Sequence, residues 1–485
     1  MSTLRRFLKD TVIYGIAAVL PRAINILLVN LHTSTLQSAK YYAENTQYFV
    51  YAAYINALLT YGMETAFFRF FTKEKEKGKV ISTSFVALLT TTFIFLALAL
   101  FYSNELSVFF RFENPVYLQI LILVTTFDTL MVVPFAYLRV MNRPIKFTFY
   151  KMFNILVYAL FNLYFLLYVP YAIEHHGYIP AIFLKYYNEY PLVIFIFIAN
   201  LIASLSTFIL LLPVFFKFNF AFDKGLLYKM MKYGLPLMIG NLAFITNENL
   251  DKLLIGNMLG KEDMGIYSAC YKLGVFMTLY IMAFRLGAEP YFFNHAKKAN
   301  AKETYAIILN WFTIIGALFM VIIIVFIDFF AGLLLGKEEY FQALSIVPFI
   351  LLANLFLGIS YNLSVWYKLT DKTRYGMYLS VIAAIITISI NIIFIPRIGY
   401  MASAWATLIA YGFIMTASFF IGRNHFPVPY PVKKILIYIL LGILLSGISF
   451  IYFRGNYLIS FIILILFLSY TFFNEKNELQ NIFKK

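Results

Sequence analysis

Apolar segments of about 20 residues, each long enough to cross a lipid bilayer as a helix, follow one another along almost the whole chain. Because 62% of the 485 residues are hydrophobic and only 13% are charged, little sequence is left for a soluble domain. We place the spans at 11–33, 46–70, 80–102, 117–139, 147–169, 190–216, 230–257, 264–289, 303–327, 341–366, 374–396, 400–422, 433–452 and 456–473. The chain is therefore predicted to be an all-α integral membrane protein with about 14 transmembrane helices.

Lysine and arginine residues are distributed unequally between the two sides of this predicted membrane protein. Each connection or terminus on one side contains three or four of them near the span ends, whereas each of the seven connections on the other side contains one. The single residues are Lys40, Arg111, Lys185, Lys261, Lys337, Arg397 and Arg454. Because basic residues are retained in the cytoplasm, we expect both termini on the cytoplasmic side of the membrane.

Several classes of function are disfavoured by what the sequence lacks. The formal net charge of +16 is spread over the connections and forms no single patch, which argues against a nucleic-acid partner. The single cysteine, Cys270, excludes a cysteine-cluster metal site, and the adjacent pair His175 and His176 has no further spaced ligands. Because phosphate-loop and nucleophile motifs are also absent, we expect no enzyme activity, no catalytic residue, no metal and no cofactor.

A repeated motif relates two halves of the chain. The segment GMETAFF at Gly62–Phe68 recurs as GAEPYFF at Gly287–Phe293, in the second and eighth predicted spans. An offset of six spans preserves the direction of each helix, so the repeats are parallel, as in transporters whose halves move about a central site. The repeat therefore predicts two pseudo-symmetric halves of six spans each, at 1–225 and 226–425, followed by two additional helices at 426–485.

Ionisable residues inside the predicted spans are the candidate functional residues. An ionised group that faces lipid at the bilayer centre costs about 2.5–3.5 kcal/mol on insertion scales, so these residues are expected to face one another or a hydrated cavity. The candidate cavity cations are Arg22, Lys252, Lys272 and Arg285. The candidates for ion coupling or gating are Glu64, Asp128, Glu248, Asp251 and Glu289.

Two interpretations stay open for three of these acids. Glu64 and Glu289 either clamp helices or loops near the cytoplasmic rim or take part directly in substrate or ion coupling. Glu289 follows Arg285 by four residues, a spacing that favours an ion pair on one helix face. Asp128 is either the partner of Arg22 or a proton site.

The seventh predicted span carries the densest signal. Pro236 removes a backbone donor and can bend the helix, which suits a gating element. Asp251 and Lys252 are neighbours, so they point about 100° apart and are not expected to pair directly. Their partners should lie on other helices, with Lys272 as one candidate. The alternative is a buried polar cluster that only fixes the register of the helices.

Two stretches of the sequence resemble a known family. The segment LLYKMMKYGLPLMIGNLAFITNENLDKLLIGNMLGKEDMGIYSACYKLG at Leu226–Gly274 has a YGLP opening, an acidic-basic pair before LLIG and a later GIYS. The segment NIIFIPRIGYMASAWATLIAYG at Asn391–Gly412 is similar to the passage of that family into its twelfth span. The chain resembles the polysaccharide biosynthesis proteins, or Wzx-type O-antigen and capsule flippases, of the multidrug/oligosaccharidyl-lipid/polysaccharide exporter superfamily.

This resemblance implies a flippase with a MATE-like fold of two six-helix bundles and two additional helices. Such proteins move undecaprenyl-diphosphate-linked oligosaccharide repeat units between the leaflets by alternating access, for O-antigen, capsule or exopolysaccharide synthesis. It implies that Asp251 and Lys252 are the acidic-basic pair of the family, whereas Arg22 and Lys272 match only a general tendency towards basic lumenal residues. It also implies the lipid-linked oligosaccharide, the bilayer and polysaccharide polymerase machinery as partners. Coupling to H⁺ or Na⁺ is a separate hypothesis, based on Glu248, Asp251 and Asp128, which could hold a cation.

Two alternatives to a flippase remain. The first is a cation-coupled multidrug or metabolite antiporter of the same superfamily, for which a cavity lined with acids and aromatic residues is expected. The second is a membrane polysaccharide polymerase or ligase, which is an enzyme and typically needs a large external loop. The longest external connection in this chain is short, at about Pro170 to Glu189, which argues against the enzyme. The repeat and the seventh predicted span favour the flippase.

Overall fold

The computed structural model describes residues 3–483 with the exceptions of 219, 297, 371 and 373. Its regular elements are helices, and among the described residues eleven helical segments are long and apolar enough to cross a membrane. The predicted all-helical membrane architecture is confirmed. Contacts divide the chain into two compact units, Met1–Gly265 and Ile266–Lys485.

The first unit contains α1 to α12 and the first turn of α13. Their bounds are α1 (Thr3–Thr35), α2 (Ala39–Thr60), α3 (Met63–Lys73), α4 (Lys77–Phe101), α5 (Ser103–Phe109), α6 (Pro115–Leu130), α7 (Val132–Val140), α8 (Pro144–Leu163), α9 (Val169–Glu174), α10 (Ala181–Glu189), α11 (Val193–Phe215), α12 (Lys224–Met258) and α13 (Lys261–His295). A π-helical segment, Tyr164–Tyr168, joins α8 to α9. Helix α11 packs against α2, α6 and α8, and these four helices contribute most of the lining of a polar cavity.

The second unit contains the rest of α13 and the helices that follow it. Their bounds are α14 (Ala301–Val325), α15 (Ile327–Leu334), α16 (Val347–Leu363), α17 (Val365–Leu369), α18 (Arg374–Ile398), α19 (Met401–His425), α20 (Val432–Tyr452) and α21 (Tyr457–Phe483), with a 3₁₀-helix at Glu338–Ile346 before α16. Helix α19 packs against α16 and α18, and α14 packs against α16, α20 and α21. The apolar faces of α14 and α16 therefore form the centre of this unit.

The two C-terminal helices are joined by a buried ion pair. Glu475 of α21 is fully buried and accepts from Lys434 Nζ of α20 at 2.6 Å. Its second oxygen accepts from the Tyr438 hydroxyl at 2.8 Å. The carboxylate is thus satisfied on both oxygens, as a buried charge requires, and α20 and α21 are fixed to each other.

Helix α12, the seventh predicted span, packs with the first unit. It contacts α2, α3 and α4, and Asp223 caps its N-terminus by accepting from the Leu226 backbone N–H at 2.9 Å. The compact units therefore divide at Gly265, about one helix later than the boundary predicted from the repeat. The division by repeat between 225 and 226 stays a prediction.

Three predicted spans are not among the eleven apolar segments. The segments 11–33, 46–70 and 230–257 are helical, as α1, as α2 with α3, and as α12. The segment 46–70 is divided between two helices, and 230–257 carries Glu248, Asp251 and Lys252 close together. That these three segments also cross the membrane, which gives fourteen transmembrane helices in total, stays a prediction.

The second predicted span is broken where the repeated motif begins. Tyr61 and Gly62 adopt left-handed conformations, with φ of 35° and 74°. A Cβ on Gly62 would collide with the carbonyl oxygen of Gly234 in α12, and a Cβ on Gly234 would lie 2.9 Å from the Tyr61 carbonyl oxygen. The corresponding Gly287 lies inside α13, and no described atom falls within 4 Å of an added Cβ. The two motif glycines therefore have different structural roles.

We expect Gly62→Ala to lower the melting temperature by several degrees, and Gly287→Ala to leave it unchanged or to raise it. The first variant combines a left-handed conformation, which costs a residue with a Cβ about 1–2 kcal/mol, with a backbone collision. The second replaces an uncrowded helical glycine, where alanine is favoured by up to about 1 kcal/mol. Thermal unfolding of both purified variants is the measurement, and equal melting temperatures would contradict this account of the helix break.

Candidate functional site

A polar cavity of about 350 Å³ lies inside the first unit, between α2, α3, α6, α7, α8 and α11. Its apolar wall includes Phe135 and Phe147. Its polar lining consists of Asn56, Thr60, Glu64, Asp128, Lys151, Asn154, Asn200, Ser204 and Thr207. Two of the predicted coupling residues, Glu64 and Asp128, therefore line the same cavity.

Hydrogen bonds fix the polar groups on one side of this cavity. Ser204 of α11 donates to Asp128 Oδ1 of α6 at 2.8 Å. Asn154 of α8 donates to the Thr207 hydroxyl of α11 at 3.1 Å. The first bond holds the carboxylate of Asp128 against α11, and the second joins α8 to α11. A fixed carboxylate among amide and hydroxyl oxygens can hold a proton or a small hard cation.

Lys151 of α8 is the cationic group of the cavity. Its ammonium lies 4.3 Å from the centre of the Phe135 ring, a distance that gives a favourable cation–π interaction. The side chain is exposed to the cavity. Asp128 therefore shares the cavity with Lys151, and its hydrogen-bond partner is Ser204. Asp128 and Arg22, both among the described residues, form no ion pair in this structure.

Glu64 is held at the edge of the cavity by an ion pair. Arg139 Nη1 of α7 lies 3.0 Å from Glu64 Oε1 of α3, with both side chains about half exposed. The same guanidinium lies 4.7 Å from the centre of the Phe68 ring. An exposed pair of this kind contributes at most about 1 kcal/mol. Its geometry agrees with the interpretation of Glu64 as a clamp between helices.

Glu289 has an equivalent arrangement in the second unit. Arg285 Nη2 lies 3.1 Å from Glu289 Oε1, which agrees with the helix-face pair expected from their spacing. Lys368 Nζ of α17 lies 2.6 Å from the same oxygen, and the Arg285 guanidinium lies 4.2 Å from the centre of the Tyr361 ring. Both repeats thus pair the motif glutamate with a basic residue two spans later, Arg139 or Lys368.

Asp251 and Lys252 pair directly, contrary to the sequence-based expectation. Lys252 Nζ lies 3.1 Å from Asp251 Oδ1, and the two side chains are 6% and 1% exposed, respectively. Lys252 Nζ also donates to the carbonyl oxygen of Glu248. Adjacent side chains do diverge by about 100° at the helix axis, but the long lysine stem folds back along α12 and reaches the preceding carboxylate. Much of the charge of Lys252 is therefore balanced inside its own helix.

The four candidate cavity cations have different environments. Arg22 is exposed on α1, directly after Pro21, and no carboxylate forms an ion pair with it in the part of the chain that the structure describes. Lys252 is buried beside Asp251, Arg285 is paired with Glu289, and Lys272 is half-buried on α13. Arg22 and Lys252 belong to the first unit and the other two to the second. Their convergence on one central cavity stays a prediction.

Sequence reasoning assigned no role to several residues of the polar cavity. Lys151 was expected inside a span, but nothing in its local sequence connects it with Asp128. Asn56, Asn154 and Asn200 are polar residues of apolar helices that all line the cavity. The available signal was the presence of charged or amide side chains in consecutive spans, because consecutive antiparallel helices usually pack together.

Two protein-family models match the chain. The family described as Polysaccharide biosynthesis protein matches residues 46–284, and the family described as MatE matches residues 236–393. No curated protein matches the chain by sequence alone. The two families overlap in α12 and α13, where the stretch Leu226–Gly274 carries the resemblance. Both matches agree with the resemblance of the sequence to the multidrug/oligosaccharidyl-lipid/polysaccharide exporter superfamily, and each covers less than half of the chain.

Solved structures of transporters share the fold. The lipid II flippase MurJ in an inward closed conformation has a TM-score of 0.72 at 17% identity, covering 96% of this chain and 100% of that chain. An inward-facing multidrug resistance MATE family transporter has a TM-score of 0.65 at 11% identity, covering 88% and 98%. A superfamily transporter from Pyrococcus furiosus, described by a reverse polarity of its binding pocket, has a TM-score of 0.59 at 14% identity, covering 86% and 95%. The MATE-like fold predicted from the sequence is confirmed.

Proposed function

We propose that the chain is a flippase for undecaprenyl-diphosphate-linked oligosaccharide repeat units in the bacterial inner membrane, with both termini in the cytoplasm. The observation that carries the proposal is the match of residues 46–284 to the polysaccharide biosynthesis family, a range that runs from within α2 to within α13. The similarity to a lipid II flippase over 96% of the chain supports a substrate with a lipid tail. The surface polysaccharide would be an O-antigen, a capsule or an exopolysaccharide.

The ionisable residues support an anionic head group as the substrate. A diphosphate needs a hydrated, cationic environment, whereas its polyprenyl tail is stable in lipid. A guanidinium presents a planar fork of donors that matches phosphate oxygens, and Arg22 is exposed without a carboxylate partner among the described residues. We assign the main contact with the diphosphate to Arg22 and keep Lys272 as a second candidate. Lys252 and Arg285 are balanced by Asp251 and Glu289.

The polar cavity of the first unit is the proposed site of ion coupling. Asp128 can bind H⁺ or Na⁺ there, and the ammonium of Lys151 in the same cavity makes the site sensitive to the protonation of either group. Glu248 stays a weaker candidate in α12. Glu64 and Glu289 act as clamps that stabilise each unit, so their effect on transport is expected to be indirect.

Reconstitution of the purified chain into proteoliposomes tests the proposed function. Undecaprenyl-diphosphate-linked oligosaccharide is placed in the outer leaflet, and its removal from the reach of an added glycosidase is followed with and without H⁺ or Na⁺ gradients. Protection of the sugar only in liposomes that contain the chain is expected, with gradient stimulation lost in Asp128→Asn. Export of cationic drugs without protection of the sugar would favour the multidrug antiporter instead.

A further inference from the structure

A buried glutamate lies near the start of α2, outside the polar cavity around Asp128. Glu44 is fully buried, and its Oε1 forms an ion pair with Lys261, the first residue of α13. Its Oε2 is also buried and has no hydrogen-bond partner among the described residues. An ionised carboxylate with one bare oxygen is incompletely stabilised away from water, so this oxygen is suited to accept a proton.

Other charged groups surround Glu44 and define what we call the outer ion cluster. Its members are Lys40, Glu44, Arg111, Glu113 and Lys261. Lys40 and Glu113 are 2.7 Å apart, and Lys261 Nζ lies 3.9 Å from Glu113 Oε1 and 3.2 Å from the Arg111 carbonyl oxygen. Arg111 donates to Asn257 at the end of α12 at 3.0 Å. The cluster joins α2, the connection between α5 and α6, and the α12–α13 hairpin.

Further ionisable groups come from the neighbouring elements. Glu262 of α13 is exposed beside Lys261, and Tyr117 of α6 is buried close to the connection that carries Glu113. Asp251 and Lys252 lie about two turns before the end of α12 and pair with each other. Glu44 is therefore the carboxylate of the region that combines complete burial with a bare oxygen.

The contact between α2 and α13 also includes the backbone. A Cβ on Gly265 would collide with the carbonyl oxygen of Ala39, so the first turn of α13 packs directly on the start of α2. Helix α13 leaves the first unit at this turn, because the unit ends at Gly265. The start of α13 therefore cannot move away from α2 without breaking the ion pair of Glu44 and Lys261.

We propose that Glu44 is a proton-binding site and that its protonation releases the first turn of α13 from α2. A proton adds to Glu44 Oε2 and converts the carboxylate to a neutral acid. Lys261 keeps its proton, loses the attraction of Glu44 and is left with Glu113 and water. When Glu44 loses the proton, the ion pair forms again. No other bond is made or broken.

Position and charge favour a proton entering from outside over a metal cation at this site. Lys40, Arg111 and Lys261 are the single basic residues of their connections, which the sequence predicts on the outer side, and Lys40 and Glu113 are 43% and 34% exposed. A metal ion needs several oxygen ligands, and the Lys261 ammonium against Glu44 repels it. The site is distinct from the cavity around Asp128. Its use in a transport cycle rests on the proposed function, but the release itself requires no substrate.

Distance measurements on the full chain in lipid nanodiscs test this inference. The single cysteine, Cys270, is replaced by serine. Asn104 of α5 and Glu262 of α13, which are both exposed, are replaced by cysteines that carry the spin labels. Between pH 8 and pH 5 we expect the distance distribution to shift to longer values. Glu44→Gln should show the long distances at every pH. The control variant Glu174→Gln changes an exposed residue and should show the same pH-dependent shift as the parent chain.

A second variant keeps the test decisive if Glu44→Gln does not fold. Lys261→Met removes the other half of the ion pair, so this variant should also show the long distances at every pH. A parent chain whose distances do not change with pH, or a normal pH-dependent shift in Glu44→Gln or in Lys261→Met, would each overturn the inference. A normal shift in a chain that moves no lipid-linked sugar would instead overturn the proposed function.

Discussion

Arg22→Ala is expected to reduce transport of the lipid-linked oligosaccharide by about 10- to 100-fold without lowering the amount of protein in the membrane. Hydrogen bonds to charged groups contribute about 1.5–3 kcal/mol each, and a tenfold effect corresponds to about 1.4 kcal/mol. The side chain is exposed on α1 and has no carboxylate partner in the described part of the chain, so its removal leaves no buried charge behind. Loss of surface polysaccharide in a deletion strain carrying the variant is the measurement.

Two control variants separate a contact with the substrate from a general effect of charge. Arg143→Ala removes an exposed arginine from a predicted cytoplasmic connection and should leave transport unchanged. Arg22→Lys keeps the charge but loses the planar fork of donors, so its transport should lie between that of Arg22→Ala and that of Arg143→Ala. Normal transport by Arg22→Ala at a normal protein level would remove Arg22 from the proposed binding site.

Asp251→Asn is expected to destabilise the protein by about 3–5 kcal/mol, because it leaves the buried charge of Lys252 without its carboxylate. A loss of this size is a large part of the usual free energy of unfolding of about 5–15 kcal/mol. The variant should therefore accumulate poorly, whereas the exposed Glu262→Gln should accumulate normally. The amount of folded protein after gel filtration in detergent is the measurement.

The double variant Asp251→Leu with Lys252→Met decides whether this pair has more than a structural role. Replacing a buried ion pair with apolar residues of similar size is often neutral or stabilising, so folding should be restored. We expect most of the transport activity to be restored as well, because the charge of Lys252 is balanced within α12. A double variant that folds and does not transport would show that Lys252 contacts the substrate.

The helices and their approximate ends could be predicted because membrane spans are encoded locally. A run of apolar residues of sufficient length must form a helix to satisfy its backbone in lipid. The break at Tyr61 and Gly62 was missed, because a left-handed glycine is specified by its contact with Gly234, which lies in another helix. The repeat in the sequence suggested the same role for Gly287, but that position lies in a continuous helix.

Pairing between side chains was predictable only within one helix, and not always there. The spacing of Arg285 and Glu289 gave the correct pair, since residues four apart share a helix face. The spacing of Asp251 and Lys252 gave the wrong answer, since it ignored the length of the lysine side chain. Arg139 and Lys368, the partners of the motif glutamates, depend on packing between helices, and no local pattern identifies them.

The repeated glutamate has a structural explanation in both units. Glu64 with Arg139 and Glu289 with Lys368 each tie the end of one predicted span to the end of the span two positions later. The same clamp in both halves agrees with a parallel repeat of the chain. The sequence does not identify Glu44, because it has no counterpart in the repeated motif and its partner, Lys261, is more than 200 residues away.

The central claim is that this chain moves a lipid-linked oligosaccharide between the two leaflets. The most direct test is the amount of undecaprenyl-linked oligosaccharide on the inner leaflet of cells that lack the protein, with the surface polysaccharide measured in the same cells. We predict accumulation of the lipid-linked sugar together with loss of the surface polysaccharide, both reversed by the intact gene. An unchanged level of lipid-linked sugar in the deletion strain would contradict the claim and would favour an antiporter.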